Sequence, residues 1–485
     1  MVPTASRTCS DEPKAWIFRP HAATHTPTAL TLTLLALGAF LAFQLGIGVW
    51  VSKRISSETD YLVGGRRLGY VLATFSIFAT WFGAETVIGS SGEIYTNGIT
   101  LASAEPFGYG FCLILMGAFL AKPLWDRGLT TLADLYRLRF GTGVERLAAV
   151  LLIPSSVLWA AAQVRAFGQV IATASTINVD MAILLAACFT IGYTAYGGLL
   201  ADAVNDVLQG TVLTLGLGVM LVGVIMKVGG PAEAMTLLMT TDRVNLAPSA
   251  AGPWLQTLEA WAIPVCGSLA ATEVISRVIA TRTRTIAQRS AFMAGGAYML
   301  VGSIPVVITL IGSHLVGPLA DPEQLLPTIA RDSLSPFFFA VFAGGLVSAI
   351  LSTVDSTLLV ASGLLSHNLI VPIARITDEK VKVKVARYGV VAFGLIAYAL
   401  AINAEGVFAL VEQASAFGSA GILVTVLFAL FTPLGSPRTA AMTLLGGISV
   451  YVLATVGGLA TPFLASLAAS LGLWGIGCVM DSRAR

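Results

Sequence analysis

The stretch FSIFATWFGAETVIGSSGEIY, residues 75–95, is long and apolar enough to cross a membrane, yet it is interrupted near its middle. Gly83, Gly89 and Gly92 weaken a helix there, and Glu85 places a carboxyl group at membrane depth. Glycine at this depth marks where a helix can unwind and offer backbone carbonyls to an ion. A kink or close helix packing would explain any single glycine as well.

A second interrupted run, AWAIPVCGSLAATEVISR at 260–277, contains Pro264 and Gly267. It lies five hydrophobic runs after the first. Two five-helix halves, each with a broken first helix, would produce this spacing. The matched pair therefore predicts a transport site between the two breaks.

The composition supports a membrane protein. Of 485 residues, 56% are hydrophobic and only 11% are charged, and the mean hydropathy is +0.83. A soluble domain carries about 25% charged residues, so this chain could not cover a water-exposed surface. Secreted disulfide scaffolds, nucleic-acid binders and most soluble enzymes are excluded.

Motifs of metal, nucleotide or covalent chemistry are missing from the sequence. The five cysteines are scattered without a CxxC pair, and neither a Walker A loop nor HExxH occurs. We therefore predict no enzyme activity, no cofactor and no nucleic-acid partner. The expected partners are a small solute, a coupling ion and the lipid bilayer.

The chain divides into about thirteen apolar runs, which predicts an all-α polytopic membrane protein. We place a polar tail at 1–27, a retained N-terminal membrane helix at 28–52, and C-terminal membrane helices at 438–480. The predicted spans are 29–51, 70–96, 105–123, 145–172, 179–197, 203–227, 253–279, 286–316, 335–368, 385–403, 406–431, 438–457 and 461–480.

The distribution of positive charge predicts the orientation. With the N-terminus outside and the C-terminus cytoplasmic, most of the 28 lysines and arginines fall in cytoplasmic loops and span ends, Arg277 among them. We expect a multi-pass protein of the cell membrane, inner or plasma.

Polar groups are densest in the ninth run, SAILSTVDSTLLVAS at 348–362. Because residues three and four apart share a helix face, the Ala349 carbonyl lies beside the hydroxyls of Ser352 and Thr353. Three neutral oxygens suit an alkali cation. Asp355 and Ser356 repeat the spacing one turn on and add a negative charge. The alternative, hydroxyls bonding back to their own helix, would not explain the aspartate.

Other intramembrane polar residues are candidates for solute contact. Glu85 follows Trp81 by four residues, and Trp159 shares a helix face with Gln163. Trp81 fits a packing role equally well. Further candidates are Glu273 in the seventh run, Glu412 and Gln413 in the eleventh, and Asp206, which with Asp202 could alternatively cap the sixth helix.

Arg165 lies about 200° around its helix from Gln163, so it should serve a neighbouring helix. It could pair with Glu85 or Glu273, and a purely structural ion pair is an equal alternative.

At these residues the chain resembles the sodium:solute symporter family. The resemblance is carried by DYLVGGRRLG at 60–69, GGLLADAVNDVLQG at 197–210 and SAILSTVDSTLLVASGLLSHN at 348–368. Three further stretches are similar to the choline-transporter branch: ATWFGAE at 79–85, AKPLWDRGLTTLADLYRLRFG at 121–141 and LWAAAQ at 158–163.

The resemblance implies a LeuT-type fold: one extra N-terminal helix, then a five-plus-five inverted repeat at 70–228 and 253–432. It also implies a Na⁺ site and a second cation or proton site. The Na⁺ ligands would be the carbonyls of Ala79, Phe82 and Ala349 and the hydroxyls of Ser352 and Thr353. The second site would use Asp206, Asp355 and Ser356.

The chain departs from the choline branch at the solute site. Trp81 matches one ring of the aromatic cage by which that branch holds quaternary ammonium. Ala270-Ala271-Thr272 and Val411 stand where two further rings are expected. With Glu85 and Glu273 present instead, the expected solute is an amine or zwitterion, or, with Arg165, an amino acid or short organic acid.

We therefore expect a sodium-coupled symporter that imports a small organic solute by alternating access. The predicted solute contacts are Trp81, Glu85, Trp159, Gln163, Glu273 and Gln413. The alternatives are a proton-coupled carrier of the same fold, a transporter-like sensor, and a passive channel. The short ending MDSRAR leaves little room for a signalling domain and disfavours the sensor.

Overall fold

The computed structural model describes residues 27–173, 175, 177–250, 252–319, 321–404 and 406–483. Residues 1–26 of the predicted polar tail lie outside this part of the chain. Over these ranges the structure is helical, with two isolated β-bridges and no strand.

The first ten helices run from the N-terminal span to the middle of the chain. They are α1 Pro27–Ser52, α2 Glu58–Val63, α3 Tyr70–Trp81, α4 Ser90–Asn97, α5 Phe107–Leu115, α6 Ala121–Asp126, α7 Ala133–Phe140, α8 Thr142–Thr173, α9 Val179–Lys227 and α10 Pro231–Thr240.

Eleven further helices follow. They are α11 Trp254–Ala262, α12 Thr272–Ile279, α13 Arg284–Gly312, α14 Leu325–Ser333, α15 Pro336–Gly363, α16 Val371–Ala374, α17 Glu379–Asn403, α18 Val407–Ala416, α19 Ser419–Phe431, α20 Pro437–Val456 and α21 Pro462–Arg483. Short π-helical segments at Glu85–Gly89, Met116–Leu120, Ile263–Gly267 and Leu364–Ile370 continue several of them.

Nine helical stretches among the described residues are long and apolar enough to cross a membrane, and two bent pairs raise the total to eleven. The 49-residue α9 contains Gly198 with φ 66°, where the helix is interrupted. An α-helix of that length would be about 74 Å long, more than twice the hydrocarbon core, so α9 suits the two predicted spans 179–197 and 203–227. The total of thirteen spans stays a prediction.

The first predicted break is present and lies at one of the three glycines. Helix α3 ends at Trp81, and the chain resumes as a helix at Glu85 after a bend of 52°. Gly83 lies in the break, whereas Gly89 and Gly92 are helical. In the second run, the π segment Ile263–Gly267 separates α11 from the non-helical residues before α12.

A third bend, of 41°, separates α18 from α19 and was not foreseen from the sequence. Gly418 lies in it with φ 71°, a backbone conformation that favours glycine.

Helix α15 lies at the centre of the bundle and packs on α8, α9 and α17. Small residues allow the closest approach: a methyl group at Gly345 would lie 3.0 Å from the backbone of Leu213, and one at Gly216 would lie 3.2 Å from that of Phe342. Interfaces of small residues let membrane helices approach with their backbones in contact. The polar run at 348–362 is therefore held inside protein.

A polar network closes the bundle where α15 ends. Nδ1 of His367 lies 3.1 Å from Glu58 and its Nε2 lies 3.3 Å from Asp134, while Asn368 donates to Glu145 over 2.8 Å. Burial alone would raise the pKa of Asp134, but hydrogen bonds from His367 and from two backbone N–H groups lower it. The network joins α2, α7 and α8 to the end of α15.

Candidate functional site

The break after α3 lies against Thr353 of α15. Phe82 has non-helical dihedrals, with φ −83° and ψ 68°. A methyl group at Gly83 would lie 2.8 Å from Oγ1 of Thr353 and 2.6 Å from Oε2 of Glu85. Glycine is required here by space, because any side chain would displace the hydroxyl or the carboxylate.

Neutral oxygens converge where α15 meets this break. Ser352 donates to the carbonyl of Ala79 over 2.6 Å and to that of Ala349 over 3.0 Å. Thr353 donates to Ala349 over 3.1 Å. The hydroxyls thus bond back to their own helix, as the alternative predicted, and Ser352 also reaches across to the broken helix.

Glu85 and Gln163 connect the break to α8. The Gln163 amide donates to Oε2 of Glu85 over 2.8 Å, and its oxygen accepts the N–H of Ala84 over 3.0 Å. Glu85 is 1% exposed and Gln163 is fully buried. The carboxyl group therefore has a fixed position beside Gly83 and the neutral oxygens.

One face of α8 touches both broken helices. Ser156 donates to Glu273 at the start of α12, Trp159 contacts Trp81, and Gln163 holds Glu85. These α8 residues are three and four apart, which places them on one stripe.

Aromatic rings fill the space between the two breaks. Trp81 and Trp159 stack with their centroids 6.1 Å apart, and Tyr109 lies 5.6 Å from Trp81 and 5.9 Å from Trp159. An atom held between two rings needs them about 7 Å apart, since each contact takes about 3.5–4 Å. The rings therefore leave no space for a cation between them in this conformation.

A cavity of about 350 Å³ lies next to these rings. Four glutamates line it, and among its lining residues in the described chain none is basic. The acidic residues are Glu85, Glu93, Glu105 and Glu412. Carboxylates that line one cavity attract a positive charge and repel a negative one.

Two further observations concern the cavity wall. Oε2 of Glu105 is buried and has no hydrogen-bond partner among the described residues, which leaves it available to a ligand. Gln413, a predicted solute contact, is exposed and does not line the cavity, whereas its neighbours Val411 and Glu412 do.

A charged cluster lies one turn further along α15. Asp206 accepts from Ser76 over 2.5 Å, and Asp355 accepts from Thr194 over 2.5 Å. The guanidinium of Arg277 donates to Asp202 and to Ser356. The side chains of Asp202 and Asp206 thus bond to other helices, and the predicted capping role does not describe them.

Arg277 and Arg165 have partners that were not predicted. Arg277 lies in the last turn of its span, as expected, but it is fully buried and ion-paired with Asp202. Arg165 lies 3.9 Å from Glu323 and donates to the Ala401 carbonyl over 3.3 Å. The suggested pairing with Glu85 or Glu273 is wrong. Arg165 does serve neighbouring elements, as its place on α8 predicted.

Burial raises the pKa of Glu323, although the N–H of Val407, only 2.5 Å away, opposes the shift. This carboxylate therefore links the loop after α13 to the start of α18.

Several of these residues were missed from the sequence. Arg277 gave one signal: it is a lone arginine inside an apolar segment, VISRVIA at 274–280. For Tyr109 the only signal in the sequence is an aromatic residue between two glycines, GYG at 108–110. Glu93 and Glu105 are close to span ends, where acids are common, so only the fold shows that they share a cavity.

Comparison with known proteins identifies relatives over most of the chain. The profile described as "Sodium:solute symporter family" matches residues 61–449. The high affinity choline transporter 1 of Homo sapiens is 28% identical over 410 residues, which cover 78% of this chain and 69% of that protein. The sodium/pantothenate symporter of Escherichia coli is 26% identical over 356 residues, which cover 69% of this chain and 72% of that protein.

Two solved structures show the same fold. A Na⁺-coupled sialic acid symporter in a substrate-bound outward-open state superposes with a TM-score of 0.79 at 18% identity, covering 92% of this chain and 96% of that one. A nucleobase-cation-symport-1 family transporter in a closed conformation superposes with a TM-score of 0.57 at 14% identity, covering 87% and 94%. The predicted LeuT-type helical fold is confirmed.

Proposed function

Because the chain belongs to the sodium:solute symporter family, whose members move a solute together with Na⁺, we propose that its solute is a small organic cation carrying an amine. The four-glutamate cavity is the observation that supports this choice. A volume of about 350 Å³ lies at the small end of the range of about 300–1,000 Å³ usual for ligand sites.

Electrostatics favours an amine over the other predicted solutes. A carboxylate entering this cavity would meet Glu85, Glu93, Glu105 and Glu412 without a basic lining partner among the described residues. Arg165, the predicted anion partner, contacts Glu323 instead. Amino acids and short organic acids are therefore disfavoured, and so is pantothenate, which carries a carboxylate.

Choline is a less favoured amine. Of the packed rings of Trp81, Trp159 and Tyr109, only that of Tyr109 lines the cavity in this conformation, so a trimethylammonium group there would lack the aromatic cage that favours it. A primary or secondary amine would instead donate N–H hydrogen bonds to glutamate oxygens, which choline cannot do.

We place the coupling Na⁺ between the broken α3 and α15. Its ligands would be the carbonyls of Ala79, Phe82 and Ala349 and the hydroxyls of Ser352 and Thr353. Ser352 already contacts Ala79 and Ala349. Neutral hard oxygens suit an alkali cation.

Coupling would follow from the position of Gly83, because the side chains of Thr353 and Glu85 both lie beside it. A Na⁺ ion that fixes the break also fixes the glutamate that holds the amine. Such coupling is a difference in binding free energy, and it is reciprocal between ion and solute.

In the proposed orientation the N-terminus is outside and the C-terminus is cytoplasmic, so the cavity faces outward. The network around His367 would close the cytoplasmic end. When the rings separate, the solute would pass from the cavity to a position flanked by Trp81, Trp159, Gln163 and Glu273.

We retain 70–228 and 253–432 as the two repeats and leave the exposed Gln413 out of the solute path.

A thermal-shift screen of the purified protein tests this proposal. Amines, betaines, amino acids and short carboxylates are compared in Na⁺ and in K⁺. We expect a primary or secondary amine to stabilise the protein only in Na⁺, and E85Q to lose this response. A carboxylate that stabilises it would contradict the amine, and uptake that follows pH and ignores Na⁺ would select the proton-coupled carrier.

A further inference from the structure

Arg277 lies where a second cation was expected. Its side chain is fully buried, and its guanidinium donates to the carboxylate of Asp202 and the hydroxyl of Ser356. A further bond of 2.8 Å joins it to Ser276 on its own helix. The resemblance to the family had assigned Ser356 to a second cation site with Asp206 and Asp355.

The oxygens of the predicted second cation site are poorly arranged to bind another ion. Ser356 donates its hydroxyl hydrogen to the Ser352 carbonyl over 2.6 Å and receives the guanidinium on its oxygen. Asp206 and Asp355 are each engaged by a hydroxyl. Oδ1 of Asp206 and Oδ1 of Asp202 have no hydrogen-bond partner among the described residues, but two oxygens fall short of the oxygen set that a hard cation takes.

The free space beside the cluster is small. The cavity bordered by Asp202 and Asp355 measures about 10 Å³. A single water needs about 10–15 Å³, so a hydrated ion does not fit there. In this conformation the guanidinium of Arg277 also engages Ser356, one of the three predicted ligands of the second site.

We propose that Arg277 is a tethered cation that replaces a second Na⁺, so that the protein binds one Na⁺ per transport cycle. This inference rests on the proposed Na⁺ site at Ser352 and Thr353. A guanidinium is always charged, so the aspartate cluster keeps its counter-ion whatever the Na⁺ concentration.

The position of Arg277 gives this tethered charge a role in the cycle. Arg277 belongs to α12, directly below the broken segment whose Ile263 and Pro264 line the cavity. Asp202 and Ser356 belong to α9 and α15, so the contact joins the broken helix to its surroundings. Moving α12 away would leave buried carboxylates unpaired, which is costly unless a cation or proton replaces the guanidinium.

Equilibrium binding of ²²Na⁺ alone to the purified protein counts the sites. We expect one Na⁺ per chain with a Hill coefficient of 1 for the wild type. R277K, which keeps the charge, should also bind one. R277Q empties the position and leaves Asp202, Asp206 and Asp355 uncompensated, so it should bind two with a Hill coefficient approaching 2.

The outcomes separate this inference from the proposed function. S352A should weaken binding of the wild-type ion. Two ions bound to the wild type would overturn the tethered cation while leaving Na⁺ coupling intact, and so would a folded R277Q that still binds one. No bound Na⁺ in the wild type would overturn both proposals. If R277Q does not fold, the wild-type count and R277K still decide.

Discussion

Two polar sites lie one turn apart on α15, and they differ in the source of their positive charge. At Ser352 and Thr353, hydroxyls and carbonyls converge on the broken helix. At Asp355 and Ser356, aspartates from two helices surround a buried arginine. In our proposal, the same three- and four-residue spacing thus builds one site for a mobile Na⁺ ion and one that carries its own positive charge.

The difference follows from the cost of burying charge. Neutral oxygens can stay buried without a cation because each hydroxyl has a carbonyl partner, so the first site can fill and empty. Carboxylates without a counter-ion would be strongly destabilised, and the second site has one built in. We therefore propose different tasks for them: the exchangeable ion couples in the first site, and the permanent charge links helices in the second.

The largest expected effect comes from breaking the permanent pair. D202N removes the carboxylate that the buried guanidinium of Arg277 contacts. Removal of one partner of a buried ion pair typically costs about 3–5 kcal/mol of folding stability. We expect a marked drop in the thermal midpoint in detergent, independent of Na⁺ concentration.

The double variant D202N/R277Q is the matched control for this pair, because it removes both charges and should recover part of the lost stability. A D202N protein as stable as the wild type would show that the contact contributes little, and the contrast between the two sites would fail.

The second effect concerns the exchangeable site. S352A removes one hydroxyl that faces both Ala79 and Ala349. Interactions with a charged partner are worth about 1.5–3 kcal/mol, so half-maximal binding should need about 10- to 100-fold more Na⁺. The measurement is a titration of ²²Na⁺ binding.

S362A serves as the control for S352A. Ser362 lies on the same helix and donates only to the Leu359 carbonyl over 2.8 Å, so its loss should leave the titration unchanged. An S352A titration that matches the wild type would place the ion elsewhere.

The third effect separates solute from ion. E85Q keeps the shape of the side chain but removes the charge at the base of the cavity. We expect solute affinity to fall about tenfold or more, with a smaller loss of Na⁺ affinity that reflects coupling through Gly83. Solute and Na⁺ titrations followed by thermal shift measure both, and equal losses would mean that Glu85 contacts the ion.

The smallest effect concerns Thr80, whose hydroxyl lies 3.3 Å from that of Ser356. T80V removes this neutral contact between the broken helix and the charged site. A neutral hydrogen bond contributes about 0.5–1.5 kcal/mol, so we expect a modest loss of stability and little change in Na⁺ affinity. A large change in Na⁺ affinity would show that the two sites act as one.

How much the sequence predicted depends on whether a feature is local. The oxygens of Ala349, Ser352 and Thr353 follow from spacing along one helix, and the structure places them together. The break at Gly83 follows from composition. Gly89 and Gly92 lie in the same run and predict a break equally well, but they remain helical. Glycine is tolerated in a membrane helix where backbones pack closely.

The features that depend on contact between helices were not predictable. Arg165 was placed on the correct face of α8, but its partner Glu323 comes from a distant loop. Arg277 was placed at a span end, where the structure also has it, but nothing local shows that Asp202 faces it. The contact of Trp81 with Tyr109 on α5 was likewise not predicted, because it joins two different helices.

Coupled flux in proteoliposomes tests the central claim most directly. An inward Na⁺ gradient is imposed, and uptake of ²²Na⁺ is measured with and without the amine that the thermal-shift screen selects. We predict that this amine stimulates Na⁺ entry in the wild type and that S352A loses the stimulation. Amine uptake that is equal in Na⁺ and in K⁺, or unaffected by S352A, would contradict Na⁺ coupling through the neutral site on α15.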